Sequence, residues 1–353
     1  MGIVDADTHV DECEDTWRYL AASEARYKPI TVSPMEEMAP GRAAPGYTRY
    51  WLIDGQLHLR RIRDDRRTGT SEVTRELKDV DARVRHMDEM GVDVQVIYPT
   101  LFLHYLTSNP DVQVALCKTY NRWLAEKCAQ SGGRLRWVAL LPLLDIDASV
   151  DELRWASQRG AAGFFKLATD LGRRVTDPYF FPVYEEANDL GLPMCIHTGS
   201  GDPGPASLAP SEGIPVNIPE AFYSVVFNGL ADKFTKLRFG FVEAGASWIP
   251  YVLDRLTARR ERMAWAYTFE MADDLFRQNR LFVTCQTVED LPYLLRFGTE
   301  DNLMLGTDYS HADASAEIQS FEILQRWGDE GKVSRDAVRK ILEDNPRAFY
   351  RLT

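Results

Sequence analysis

The sequence predicts an α/β fold of the (β/α)8 TIM-barrel class, with residues 1–353 forming one domain and a cap-like insertion over about residues 25–76. Three observations predict it. Eight short apolar runs are spread along the chain, with amphipathic segments between most of them. The runs are continuously hydrophobic instead of alternating, which suits parallel strands covered on both faces. A length of 353 residues is ordinary for one barrel with insertions. A doubly wound open sheet is the competing architecture.

Taken in order, the expected strands are Ile3–Asp7, Val94–Tyr98, Trp137–Pro142, Gly163–Lys166, Pro193–His197, Leu237–Glu243, Leu281–Cys285 and Leu303–Asp308. In Lys78–Met90, Val80, Val84, Met87 and Met90 recur at helical spacing, and Gly91 supplies the stop. Asp111–Gln130 and Ser149–Gln158 read the same way. Asn345 followed by Pro346 reads as a cap and a first-turn proline opening a last short helix. In the insertion, the stretch from Tyr50 to Leu59 reads as a hairpin turning on Asp54-Gly55, with a charged stretch Arg60–Arg67 behind it. It is expected to cap the barrel mouth. A second long segment, Thr198–Glu220, is rich in Gly, Pro and Ser and reads as a substrate loop or a plain connection.

Hydrophobic residues make up 45% of the chain, enough for a large core. The net charge of −12 disfavours nucleic acid and anionic membranes as partners, though a pocket can be locally basic and take an anionic small molecule. The five cysteines are scattered and form no CxxC pair, which argues against a disulfide framework or a zinc knuckle. The acidic N-terminus does not read as a signal peptide, and no apolar run approaches the roughly 20 residues that span a bilayer. A cytoplasmic protein of a reducing compartment is therefore expected, and a homodimer is the assembly to look for.

Barrel enzymes carry their working groups at the C-terminal ends of the strands. Here the first strand leads into Asp7-Thr8-His9, the fourth ends in Lys166, the fifth in His197, the sixth in Glu243 and the eighth in Asp308. Asp7 and His9 are two residues apart, so on an extended segment they point to the same side. With His197 and Asp308 they make a nitrogen and oxygen set suited to Zn, Mn, Fe or Co. Each residue alone reads more simply as a cap or a hydrogen-bonded structural group; it is the coincidence of four that favours a metal. Glu243 is a further ligand, a general base or a partner for the second nitrogen of His197. Glu12 caps a helix or reaches the pocket.

The segments Asp5-Ala-Asp-Thr-His9-Val-Asp-Glu12, Met87-Asp-Glu-Met-Gly91, Pro193-Met-Cys-Ile-His197-Thr-Gly, Val242-Glu-Ala-Gly, Gly306-Thr-Asp-Tyr-Ser-His311 and Asn345-Pro-Arg-Ala-Phe-Tyr350 together resemble the amidohydrolase superfamily. The branch they resemble contains aminocarboxymuconate semialdehyde decarboxylase and the resorcylate-type decarboxylases. The resemblance implies metal ligands on strands one, five and eight, which fall on Asp7, His9, His197 and Asp308. This chain departs from the pattern twice. Its first motif is Asp-x-His instead of His-x-His or Glu-x-His, and strand six ends in Glu243 where the decarboxylases carry a His. Other superfamily members bridge two metals with a carboxylated lysine after strand four, a place near Lys166.

The expected function is thus a metal-dependent decarboxylase or hydrolase acting on a carboxylated, largely apolar small molecule. Asp308, Glu243 and His311 are its candidate catalytic residues. Lys166, Tyr98, Trp248 and Tyr309, with Trp51, are candidates to contact substrate. One or two divalent transition-metal ions (Zn, Mn or Fe) are implied. The alternative is a non-heme diiron monooxygenase hydroxylating a bulky apolar acid or its thioester.

Overall fold

Eight parallel strands follow one another around a barrel in chain order: β1 (Val4–His9), β2 (Val94–Tyr98), β3 (Leu135–Ala139), β4 (Gly163–Leu167), β5 (Met194–His197), β6 (Phe239–Val242), β7 (Leu281–Cys285) and β8 (Leu303–Leu305). The computed structural model describes residues 2–33, 48–61, 63–199, 201–202, 216–266, 274–312 and 314–352. The sheet closes where β1 meets the segment after β8: Asp308 N donates to Asp7 O at 3.0 Å, and His9 N donates to Tyr309 O at 2.9 Å. Sequential order with closure excludes the doubly wound sheet, in which the strand order reverses.

Every residue of β1, β4, β5, β6, β7 and β8 is buried. Inward side chains fill the barrel and outward ones meet the helices, which is why these strands are mostly apolar; β1 is the exception, with Asp5, Asp7, Thr8 and His9 buried in it. Helix α1 (Val80–Glu89) starts on Asp79, whose carboxylate accepts from Ala82 N at 2.9 Å, and the chain leaves it through Gly91 at φ +71°. Helix α2 (Pro110–Gln130) begins on the Asn109 cap with proline at its first position. Helix α3 (Ile146–Gln158) is capped by Asp145.

The last helix, α4 (Asn345–Tyr350), corrects one expectation. It continues directly from a wide turn of helix over Lys340–Asp344, and Asn345 has helical angles (φ −65°, ψ −48°), so it caps nothing. Its side-chain amide instead donates to Glu300 O (2.9 Å) and Leu303 O (2.7 Å), pinning the helix to the start of β8.

The insertion forms a three-stranded antiparallel sheet of Ile30–Val32, Thr48–Ile53 and Gln56–Arg61. The hairpin turns on Asp54 (φ +48°) and Gly55 (φ +76°), the two consecutive left-handed residues that a type I′ turn requires. Residues 34–47 and 62 of the insertion lie outside the described residues, as do 200 and 203–215 of the expected loop between Thr198 and Glu220. Among the described residues, no helix is long and apolar enough to cross a membrane.

Candidate metal centre

Asp7 and His9 leave β1 on one side, with Asp7 Oδ1 3.4 Å from His9 Nε2. His197, at the end of β5, brings its Nε2 to 3.5 Å from the same oxygen. Glu243 and Asp308 follow β6 and β8 in left-handed conformations, with φ of +61° and +51°. Such angles cost a non-glycine residue about 1–2 kcal/mol. They are held by hydrogen bonds from Glu243 N to Thr284 Oγ1 (2.9 Å) and from Asp308 N to Asp7 O. The reversal at each position brings a carboxylate to the barrel axis. Glu243 Oε2 lies 3.1 Å from His197 Nε2 and 3.7 Å from His9 Nε2, and Asp308 Oδ1 lies 3.4 Å from His9 Nε2.

The imidazoles are set for metal binding. Nδ1 of His9 donates to Pro99 O (2.8 Å), and Nδ1 of His197 donates to Thr198 O (3.0 Å). A carbonyl only accepts, so each ring keeps its proton on Nδ1 and turns the Nε2 lone pair inward. These two Nε2 atoms and Asp7 Oδ1 are buried and have no hydrogen-bond partner among the described residues. A buried polar atom left unsatisfied costs about 1–3 kcal/mol. A cation placed among them removes that cost, and their nitrogen and oxygen chemistry suits a divalent ion. Asp7, His9, His197 and Glu243 each offer a donor atom within 4.8 Å of the others, and so do His9, Glu243, Asp308 and His311. With no ion present, burial pulls the His197 imidazole down, but the Glu243 and Asp7 carboxylates outweigh it and lift it to about 9, so Nε2 then carries a proton that a bound cation would displace to use the lone pair. Burial likewise pushes Asp7 up, and the two imidazoles overcome this and hold it below the usual carboxylate range.

His311 joins from the loop after β8. Its Nδ1 lies 2.6 Å from Asp308 Oδ1, its Nε2 3.1 Å from Thr100 Oγ1, and its ring stacks on His9 with centroids 4.0 Å apart. The expectation that Glu243 serves the second nitrogen of His197 gives way here. Thr198 O takes that nitrogen, and Glu243 faces the Nε2 that points at the site.

Other expected residues are placed elsewhere. Lys166 is fully buried, and its Nζ donates to Leu167 O (2.8 Å) and Asp170 Oδ2 (2.5 Å). The preceding residue, Phe165, turns its ring toward His197 (5.7 Å), so β4 alternation sends Lys166 to the other side, away from a bridging position. Tyr98 is buried, with its hydroxyl 2.5 Å from that of Tyr350, and is packed against the His197 ring instead of lining the open cavity. Tyr309 stacks under the Arg83 guanidinium (3.4 Å), and its hydroxyl meets Thr74 and His86. Trp248 donates to Gly245 O and packs on Phe222, so of the four aromatics expected to contact substrate (Tyr98, Trp248, Tyr309 and Trp51) only Trp51 lines the cavity.

Glu12 does both things considered for it, in altered form. It lines the cavity and accepts from Thr100 N (3.1 Å) and Leu101 N (2.8 Å), capping a turn after β2 instead of its own helix. Ser315 was not singled out from the sequence. Its hydroxyl lies 2.9 Å from Asp308 Oδ2 and 3.4 Å from Glu243 Oε1, tying two carboxylates together, and a lone serine seven residues past Asp308 carries no signal of that.

A cavity of about 380 Å³ opens over the centre. Glu243, His311 and Thr198 lie on its barrel side, and Trp51, Arg49 and Arg60 of the hairpin also line it.

The sequence model of the family described as Amidohydrolase matches residues 4–352. The chain belongs to this amidohydrolase family. It is 25% identical over 245 residues to a 2-amino-3-carboxymuconate-6-semialdehyde decarboxylase of Dictyostelium discoideum, a match covering 65% of this chain and 66% of that one, just under two thirds of the relative's length. It is 26% identical over 302 residues to a gamma-resorcylate decarboxylase of Rhodococcus jostii, covering 77% of this chain and 87% of that one. Among solved structures, an amidohydrolase from Mycobacterium avium subsp. paratuberculosis matches with a TM-score of 0.76 at 17% identity over 99% of both chains. A 5-carboxyvanillate decarboxylase from Novosphingobium aromaticivorans, solved with bound manganese, matches with a TM-score of 0.64 at 19% identity over 78% of this chain and 82% of that one. At these identities the structural likeness establishes the barrel fold. The convergent Asp, His and Glu side chains stand at the C-terminal ends of the strands, the end at which barrel enzymes carry their working groups.

Proposed function

We propose that the protein is a metal-dependent lyase, a decarboxylase in the first instance and a hydrolase otherwise, acting on a carboxylated and largely apolar small molecule. One observation carries this: Asp7 Oδ1, His9 Nε2 and His197 Nε2 are buried, converge and lack partners among the described residues, directly beneath an arginine-lined cavity. The decarboxylase relatives and the manganese of the 5-carboxyvanillate enzyme support it. A bound divalent ion would supply Lewis acidity toward a substrate oxygen. Asp7, His9 and His197 would hold the ion, with Glu243 and Asp308 closing the set.

Loss of CO2 leaves a carbon that must gain a proton. Asp308 and His311, 2.6 Å apart, form a pair able to hold and deliver one, and Thr100 steadies the far nitrogen of His311. Trp51 and Leu101 offer the apolar body of the substrate a wall. The five cysteines are buried free thiols, and we place the enzyme in the cytoplasm. The test is turnover of carboxylated phenols by manganese-loaded protein with oxygen removed. CO2 release that disappears in Asp308→Asn supports the proposal, and an absolute need for O2 defeats it.

A second ion would have to share donors, because His9 and Glu243 belong to both donor groups and the one inward lone pair of His9 holds one cation. The Oε2 of Glu243 faces His197 while its Oε1 lies 3.9 Å from His311 Nδ1, so the two donor groups share this carboxylate. Two irons held this way are what the monooxygenase alternative requires. Two irons per chain together with substrate-dependent O2 uptake would support that reading; none of the relatives named above is an oxygenase.

A further inference from the structure

The hairpin places two arginines directly opposite each other. Arg49 pairs with Arg60 across its strands, next to the Trp51 and His58 pair. Like charges in facing positions destabilise a sheet. Yet both arginines line the cavity over the metal centre, in a chain whose net charge is −12.

The two differ in what balances them. Arg60 is satisfied: it donates to Thr31 Oγ1 (2.6 Å), reaches Glu76 (3.4 Å) and Glu14 (3.6 Å), and lies over the Trp51 ring at 4.3 Å. Arg49 is exposed and has no ion pair or side-chain hydrogen bond among the described residues. Glu72, the carboxylate that feels its charge, is held by Lys78 at 2.5 Å. Asp11 accepts from Arg63 (3.0 Å) and Arg75 (3.1 Å), and Asp65 takes the other end of Arg75 (2.8 Å). Of the four arginines that line the cavity, Arg49 is therefore the one that no carboxylate holds in an ion pair among the described residues, so the hairpin side presents one unmatched guanidinium.

We propose that this is a second anion subsite, and that the substrate carries a carboxylate at the end remote from the metal, bound by Arg49. The proposal rests on the metal centre being the reacting end. One unmatched guanidinium suits a singly charged carboxylate better than a phosphate dianion. A planar carboxylate also fits the fork of an arginine. Between the two ends, Trp51 and Leu101 line the cavity beside an apolar linker. The subsite thus selects dicarboxylates over monocarboxylates.

The experiment is titration calorimetry on manganese-loaded protein with two matched pairs: biphenyl-4,4′-dicarboxylate against biphenyl-4-carboxylate, and terephthalate against benzoate. In at least one pair the dicarboxylate is expected to bind about tenfold tighter, the effect of one charge-assisted contact. Arg49→Ala should bring that ratio to within about twofold without lowering thermal melting, because the side chain is exposed and unbonded and its loss relieves the like-charge pair with Arg60. Equal affinities within both pairs, or a preference that survives Arg49→Ala, overturn the proposal. Monocarboxylate binding that does not depend on manganese would count against the metal end and the proposed function, a separate outcome from loss of the dicarboxylate preference.

Discussion

The Oε2 atom of Glu243 lies 3.1 Å from Nε2 of His197, on the side of the ring opposite the Thr198 carbonyl that holds Nδ1. A carboxylate there faces the same space as the lone pair, so it acts on whatever that lone pair binds. Glu243→Gln removes one negative charge from a buried donor set. Manganese affinity should fall by at least the 10–100-fold typical of partners one step further out. Calorimetric titration of metal-free protein measures it; an unchanged affinity would show that Glu243 is no part of the centre.

Ser315 should matter less, and in a different way. Its hydroxyl touches the Asp308 and Glu243 carboxylates and orients them. Ser315→Ala is expected to lower activity about tenfold, with manganese still bound at the wild-type stoichiometry. Metal loss equal to that of Glu243→Gln would contradict this division of roles.

Lys166 distinguishes a structural ion pair from a bridging carbamate. Its Nζ is tied to Asp170 and Leu167 O in a buried position. Lys166→Met leaves Asp170 unpaired and should cost about 3–5 kcal/mol of stability, with part restored by adding Asp170→Asn. Metal content per folded chain should not change. Loss of an ion on this substitution would mean that the lysine reaches the centre after all.

Glu12 gives a pH dependence. Burial pushes its carboxyl up to about 8 against the two backbone donors at Thr100 and Leu101. An unfolded chain ionises near the ordinary glutamate value, so the folded state binds the extra proton between there and about 8. Stability is therefore greatest at low pH on this account and declines as pH rises toward 8, by up to about 1.4 kcal/mol per pH unit. Glu12→Gln removes the dependence. In urea denaturation, the stability of the variant relative to wild type should grow from pH 5 to pH 8; parallel profiles would rule out a raised Glu12.

The barrel and the four candidate ligands were legible because each carries a local signature. Buried parallel strands are mostly apolar, and a polar residue that ends such a strand stands out, as His197 and Asp308 do. Asp7 and His9 share a face through strand alternation alone. The orientation of Lys166 was not legible, because a one-residue uncertainty in where β4 faces inward exchanges it with Phe165. Tyr98 ends a strand and Tyr309 follows Asp308, but the hydroxyl of Tyr98 is claimed by Tyr350 and the ring of Tyr309 by Arg83, partners more than 200 residues away. The arginine hairpin was visible as a charged stretch, while its facing pair at positions 49 and 60 depends on a register fixed by the Asp54-Gly55 turn.

The most direct test is the metal content of the purified chain, by elemental analysis after manganese loading and desalting, for wild type and His197→Ala. At least one ion per chain in the wild type, lost in the variant with its fold intact by circular dichroism, is the expected result. A wild-type chain that retains no stoichiometric ion, or a variant that keeps it, would contradict the assignment of Asp7, His9, His197, Glu243 and Asp308 as a metal centre.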